Sequence, residues 1–297
     1  MEIEKIDSII NTESTDGADV VLVSAPFEGS ASYHKGTAGG PEKMVSCLNR
    51  QIEFWDRNQK KETCDSIKIA HVEVEGLEGL NPEHSVNKIQ EKYESVAKGN
   101  VFPILLGGEH SVSISAFQTI AKNEDAKDIT IVQIDAHCDL RDDDSDYNEL
   151  SPSKYAHSTI ARRGHELGFN LVQVGIRAYS KAEYEYWNAN ENITVFEWNT
   201  SKKPTIEEII ASIKTEKVYL TIDVDGFDPA HMPGTGTPVQ GGLEWWYGME
   251  LIEKIFKNKN VIAADVVEVM PQEDTGVTEY GASQIVYNMI GYKFKNT

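Results

Sequence analysis

The stretch Ile129-Thr130-Ile131-Val132-Gln133-Ile134-Asp135-Ala136-His137-Cys138-Asp139 decides how the rest of the chain is read. Ile129 to Ile134 is a β-branched apolar run too short for a helix, so it reads as a buried strand. Residues two apart on a strand share a face, so Asp135, His137 and Asp139 converge just past its end. Two carboxylates and an imidazole gathered there are costly without a cation to neutralise them. A bound metal is the simplest remedy. Cys138, out of phase by one, points away and reads as packing.

Working outward, seven more short runs rich in Val and Ile have the same character: Val20 to Phe27, Ile67 to Val74, Val101 to Leu106, Leu171 to Ile176, Ile193 to Trp198, Val218 to Ile222 and Val261 to Val269. Stretches of helical character lie between most of them, including Asn87 to Ala97, Ser111 to Lys122, Thr205 to Lys214 and Gly248 to Lys257. Strand alternating with helix implies an eight-stranded, mainly parallel sheet covered on both faces, an α/β fold built as a three-layer α/β/α sandwich. Nothing resembling a linker or repeat interrupts the pattern, so residues 1–297 read as a single domain. Residues 1–18 read as an added helix or arm, and residues 292–297 as a polar tail.

Composition excludes some partners. Lys and Arg total 28 against 48 Asp and Glu, a formal charge of -20, which argues against nucleic acid and anionic membrane and is compatible with a cationic small substrate. Cys47, Cys64 and Cys138 are odd in number and lack CxxC spacing, so neither a disulfide framework nor a zinc ribbon is suggested. With no leader pattern and no apolar run long enough for a membrane span, a cytoplasmic protein is expected.

In an open parallel sheet, ligands gather at the carboxyl ends of strands. Val101 to Leu106 leads into Gly107-Gly108-Glu109-His110-Ser111, where the glycines permit a tight turn and His110 emerges at the start of a helix. Taken alone, His110 reads as an ordinary turn or core histidine. Val218 to Ile222 leads into Asp223-Val224-Asp225-Gly226-Phe227-Asp228-Pro229, which alone reads as a solvated Asp-rich turn. Together, Asp135, Asp139, Asp223 and Asp225 carry four negative charges, enough to balance two divalent cations. A two-metal site follows, with ions about 3.5–4 Å apart. Oxygen-rich ligation with minority imidazole favours manganese over zinc, while iron, cobalt and nickel remain open.

The segments Gly107 to Ser111, Asp135 to Arg141 and Asp223 to Pro229 resemble the three signatures of the ureohydrolases, the arginase and agmatinase family, in the family's order. Val267-Glu268-Val269-Met270-Pro271 is similar to the family's guanidinium-binding segment. The resemblance implies that His110, Asp135, His137, Asp139, Asp223 and Asp225 ligate two Mn²⁺ ions, with Asp135 and Asp223 bridging. It implies hydrolysis of a terminal guanidinium to urea and an amine by metal-bound hydroxide. It implies further that Glu268 holds the guanidinium, that Asp139 relays a proton, and that His157 binds substrate and acts as proton shuttle. Asp228 reads as a turn cap or a support to the ligands. A homo-oligomer, trimer or hexamer, is also implied.

Pro26-Phe27, Ser32-Tyr33, Gly36, Gly40-Pro41, His157-Ser158, Arg162-Arg163 and the stretch Asp228 to Leu243 look more like agmatinases than arginases. Agmatine, yielding putrescine as in polyamine biosynthesis, is the leading substrate. Guanidinobutyrate, arginine and guanidine are the alternatives, together with a non-catalytic metal-binding homologue. A two-metal phosphoesterase is disfavoured because no Gly-Asn-His motif is found. Two departures stand out: the acidic stretch between Arg141 and Ser153 is longer than expected and reads either as a specificity lid or as a solvated loop. His231 occupies a position where an aromatic or apolar residue is expected.

Overall fold

Successive residues of the central strands point to opposite faces of one sheet, and both faces are apolar. Val20 and Leu22 pack in one core with Met44, Leu48, Ile252 and Ile290. Val21 and Val23 pack in a second core with Ile89, Tyr93, Phe117 and Ile160. That double burial explains why the strands read as continuous Val/Ile runs rather than alternating ones. The computed structural model describes residues 8–56, 59–199 and 203–294.

Among the described residues, the strands are β1 (Val20–Ala25), β2 (Trp55–Asp56), β3 (Lys61–Glu62), β4 (Ile69–Glu73), β5 (Phe102–Gly107), β6 (Ile129–Ile134), β7 (Asn170–Ile176), β8 (Ile193–Glu197), β9 (Lys217–Asp223) and β10 (Asn260–Val267). The main sheet has eight strands in the order β4-β1-β5-β10-β9-β6-β7-β8. Every neighbouring pair in it runs parallel. β2 and β3 form a small antiparallel hairpin apart from it. The eight expected runs are the eight strands of the sheet, with ends shifted by up to two residues.

The helices are α1 (Gly40–Arg50), α2 (Pro82–Val96), α3 (Ser113–Asn123), α4 (Ile160–Glu166), α5 (Lys181–Asn188), α6 (Ile206–Ser212), α7 (Trp245–Asn258) and α8 (Val277–Lys293). α2 starts earlier than its apolar periodicity suggests because Asn81 caps it, accepting the His84 N–H at 2.9 Å, and Pro82 fits its first turn. α5 and α6 each open on a capping box, Ser180/Glu183 and Thr205/Glu208. α8 carries apolar residues around much of its circumference and packs against α1 and α7, so no amphipathic stripe announces it.

One terminal expectation changes and the other is narrowed to one of its alternatives. Tyr292, placed in a polar tail from sequence, is buried in the last turn of α8, which runs to Lys293; residues 295–297 lie outside the described residues. At the other end residues 1–7 are likewise outside them, and residues 8–18 form no helix but an arm along the edge strand β4. The Asn11 side chain clips the arm in place by donating to the Ile67 carbonyl at 2.8 Å and accepting from the Ile69 N–H at 2.9 Å, while Ile9 is fully buried. The arm covers an otherwise open sheet edge.

Candidate metal centre

His110 follows β5, Asp135, His137 and Asp139 follow β6, Asp223 ends β9 with Asp225 in the turn after it, and Glu268 follows β10. These four strands are adjacent at the middle of the sheet, in the order β5-β10-β9-β6. Segments far apart in sequence thus open on one carboxyl edge. Gly107 and Gly108 serve this convergence differently from the tight turn expected: neither adopts a positive φ. A Cβ on Gly108 would lie 1.9 Å from the Phe27 carbonyl oxygen, and one on Gly107 2.6 Å from Val267 Cγ1. The glycines let three chain segments approach closely.

All six expected ligands come together. His110 Nδ1 lies 3.2 Å from Asp135 Oδ2, 3.2 Å from Asp139 Oδ2 and 3.4 Å from Asp223 Oδ2. His137 Nδ1 lies 3.1 Å from Asp225 Oδ2 and 3.6 Å from Asp135 Oδ1. Among the described residues, two groups of donors are compact enough to hold an ion, His110 with Asp135 and Asp223, and His137 with Asp135 and Asp225. Asp135 belongs to both, one oxygen turned to each. Asp223 falls in the first group, its Oδ1 engaged by the Asp225 N–H at 2.8 Å.

The electrostatics ask for cations. Burial opposes charge on His110, yet the carboxylates of Asp135, Asp139 and Asp223 outweigh it and hold the imidazole well above its ordinary pKa. Burial, and then the charges of Asp225 and Asp135, push Asp223 well up. The hydrogen bonding fits too. Thr221 donates its hydroxyl to Asp265 Oδ1 at 2.6 Å, so its oxygen is left to accept from His110 Nε2–H at 2.8 Å. In the neutral form that ligates a metal, this bond places the lone pair on Nδ1, which faces the carboxylates of Asp135, Asp139 and Asp223. The carboxylates that would hold a proton on Nδ1 can equally surround a metal ion in its place, and one proton balances few of their charges, so the residues fit a pair of cations.

Several supporting residues escape a reading based on strand ends. Gln133 donates to Asp135 Oδ2 at 2.7 Å and is itself held through Oε1 by Gln173 at 2.7 Å. Asp265, buried in β10, accepts from Tyr219 and Thr221. Their signal was a polar residue inside an apolar run. Arg177 donates to the carbonyls of Gly175, Asp225, Gly226, Phe227, Val239 and Gln240 and so ties the Asp225 turn to the end of β7. Glu183 accepts from Cys138 Sγ at 3.2 Å and the Leu140 N–H at 3.1 Å. Burial and this carboxylate hold the Cys138 thiol well above its ordinary pKa, in keeping with a packing role.

Glu268 is buried beside the ligands, and its Oε1 accepts the His110 N–H at 2.9 Å. Both Glu268 and Asp139 have left-handed backbones, φ 62 and φ 50, a conformation that costs about 1–3 kcal/mol away from glycine. His157 opens the turn before α4; its N–H donates to Ser30 Oγ at 2.9 Å. Burial first, then the neighbouring His137 and His110 charges, push its imidazole down to about 3, leaving it neutral at pH 7. Asp228 caps its turn, accepting from Ala230, Gly241 and Gly242. His231 lines a cavity of about 420 Å³ with Trp245, Val277 and Tyr280, a lining that includes none of the six donors.

The arginase family model matches residues 18–291. The chain belongs to the arginase family. This ureohydrolase is 33% identical over 294 residues to the N(1)-aminopropylagmatine ureohydrolase of Synechocystis sp., covering 97% of this chain and 92% of that one. It is 28% identical to a guanidinobutyrase of Pseudomonas aeruginosa, over 93% of this chain and 86% of that one. The crystal structure of the agmatine ureohydrolase of Thermoplasma volcanium superposes with a TM-score of 0.83 at 26% identity, covering 99% and 96% of the two chains. The arginase-family chain is therefore a hydrolase acting on guanidino compounds. Among its described residues no helix is long and apolar enough to cross a membrane.

Proposed function

We propose that the chain hydrolyses the terminal guanidinium of agmatine to urea and putrescine, with two manganese ions held by His110, Asp135, His137, Asp139, Asp223 and Asp225. The observation that carries this reading is the convergence on one sheet edge of five of those donors in two compact groups, with Asp139 3.2 Å from His110 and the Glu268 carboxylate on the His110 N–H. When bound, the two cations lower the pKa of water towards neutrality and so supply the nucleophile.

The chain's own residues do the rest. Glu268 Oε1 is held by the His110 N–H. Its Oε2 is left for the guanidinium N–H groups, and Gly236 is the neighbouring backbone on that side, a Cβ there standing at ordinary contact distance, 3.7 Å. The charge-assisted pair orients the guanidinium carbon. Asp139 holds the proton that the reaction releases. That proton goes from Asp139 to the departing amine, while His157, neutral and with Nε2 lacking a partner among the described residues, takes up a proton from solvent and relays it to the amine as it leaves.

Agmatine is preferred because the agmatinase-like stretches lie around the site and the far end of that substrate is a cation, suited to a chain of charge -20. The test is urea release from agmatine, N(1)-aminopropylagmatine, guanidinobutyrate, arginine and guanidine after loading with Mn²⁺. The highest kcat/KM is expected on agmatine. A preference for N(1)-aminopropylagmatine or for guanidinobutyrate keeps the chemistry and replaces the substrate; no urea from any of them overturns the reading.

The support to His110 leads to a separate expectation. Thr221→Val removes the acceptor for Nε2–H and breaks the link to Asp265, and Mn²⁺ affinity measured calorimetrically is expected to fall about 10–100-fold. Unchanged affinity would show that the Thr221–Asp265 pair does not orient the ligand.

A further inference from the structure

The acidic stretch between Arg141 and Ser153 was ambiguous between a lid and a solvated loop. Its charges are largely spent within itself and on neighbouring basic residues. Asp142 lies 3.4 Å from Arg163, 3.5 Å from Lys154 and 3.7 Å from Arg162, Asp146 pairs with Arg141, and Asp143 accepts the Ser145 N–H at 3.0 Å. Asp144, 1% exposed, closes the loop: its Oδ1 accepts the Ser153 N–H at 2.5 Å and its Oδ2 the Asn148 amide at 3.0 Å. Its carbonyl accepts the N–H groups of Tyr147 and Asn148 at 3.1 and 2.9 Å. A loop knitted this way presents a fixed side chain rather than a field of charge.

That side chain is Tyr147. Its ring centroid lies 5.6 Å from that of His157, tilted by 46°, and its hydroxyl is 2.8 Å from the hydroxyl of Ser158, the next residue along. The residue as a whole is 38% exposed, so its ring covers His157 from the solvent side while its hydroxyl is tied to Ser158. On the other side of His157, Ser30 accepts its N–H and in turn donates its own N–H to Glu109 Oε1 at 3.3 Å. The imidazole is therefore gripped at its backbone and against one ring, with Nε2 buried and unpartnered among the described residues.

We infer that Tyr147 is a positioning residue for His157, and that the clasp made by Asp144 exists to hold its ring there. This rests on the reading of His157 as the proton shuttle. A tilted ring contact of this kind fixes the imidazole's orientation and keeps water from its flank. Tyr147 acts through His157 and has no role of its own once that histidine is gone.

The test uses the full chain loaded with Mn²⁺ and the panel substrate of highest kcat/KM, comparing Tyr147→Ala, His157→Gln and the double variant. His157→Gln is expected to lower kcat about 100-fold or more. Tyr147→Ala is expected to lower kcat roughly tenfold, with KM within about twofold of wild type, while the double variant matches His157→Gln alone. Diethylpyrocarbonate should modify His157 faster in Tyr147→Ala, read by mass spectrometry. If Tyr147→Ala does not fold, Tyr147→Leu, which fills the space without a ring, carries the same comparison. Losses that multiply in the double variant, or a wild-type kcat with unchanged labelling in the Tyr147 variant, overturn the inference and leave the shuttle standing. Wild-type kcat in His157→Gln removes the shuttle reading itself, and the inference with it.

Discussion

Replacing Asp223 by Asn is expected to lower urea release by about a thousandfold or more and to reduce bound metal from about two ions per chain to about one. Asp223 is almost fully buried and sits at the end of β9, where its Oδ1 accepts the Asp225 N–H and its Oδ2 faces His110 Nδ1. An asparagine can keep the first interaction through its amide oxygen, so the turn carrying Asp225 should survive. What it cannot keep is the fourth negative charge, and its amide protons oppose a cation in the same place. The metal-free variant should melt no lower than metal-free wild type, since one of four crowded carboxylates has gone and Asp223 is a group that burial and its neighbours already resist ionising. Metal content by mass spectrometry decides the matter: two ions per chain in the variant would remove Asp223 from the ligand set.

Glu268→Gln has the opposite signature, full metal content with kcat/KM lowered about 100–1000-fold. The amide oxygen of glutamine can accept the His110 N–H that Glu268 Oε1 now accepts at 2.9 Å, so the backbone of the first metal ligand stays in place. The lost element is a full negative charge opposite a guanidinium in a buried setting, where removing one partner of a charge pair costs about 2–5 kcal/mol. The loss should be carried largely by KM, because the interaction is made in the bound substrate as well as in the transition state. Steady-state kinetics with parallel metal analysis separates the cases. Loss of metal along with activity would place Glu268 among the ligands instead of at the substrate.

Much of this site was legible because its chemistry is local. Asp135, His137 and Asp139 declare themselves by alternation at the end of an apolar run, and Asp223 and Asp225 repeat the device. Less legible were the residues that hold the ligands. Gln133, Thr221 and Asp265 are polar residues in apolar strands, and nothing local says that Thr221 would lie between His110 and Asp265. Glu268 and Asp139 carry positive φ, which no residue type at those positions announces, since strain of this kind is imposed by the surrounding fold. Helices α1 and α8 leave weak local signals for different reasons: α1 opens with Gly40 and Pro41, and α8 is apolar on too many sides to show a stripe.

By itself the sequence determined that strands and helices alternate, that the sheet is parallel and covered on both faces, and which acidic and imidazole side chains stand at strand ends as candidate metal ligands. These follow from composition and spacing within a few residues, where backbone geometry alone sets direction. Only the tertiary structure decided that β5, β10, β9 and β6 stand side by side, that Glu268 rather than Glu109 has an oxygen left for a ligand while Glu109 is consumed by Ser111 and Ser30, and that Tyr147 lies against His157. Those outcomes depend on crossovers and close packing between segments from about forty to more than a hundred and fifty residues apart, or on how a long loop closes on itself. No spacing within one segment encodes them.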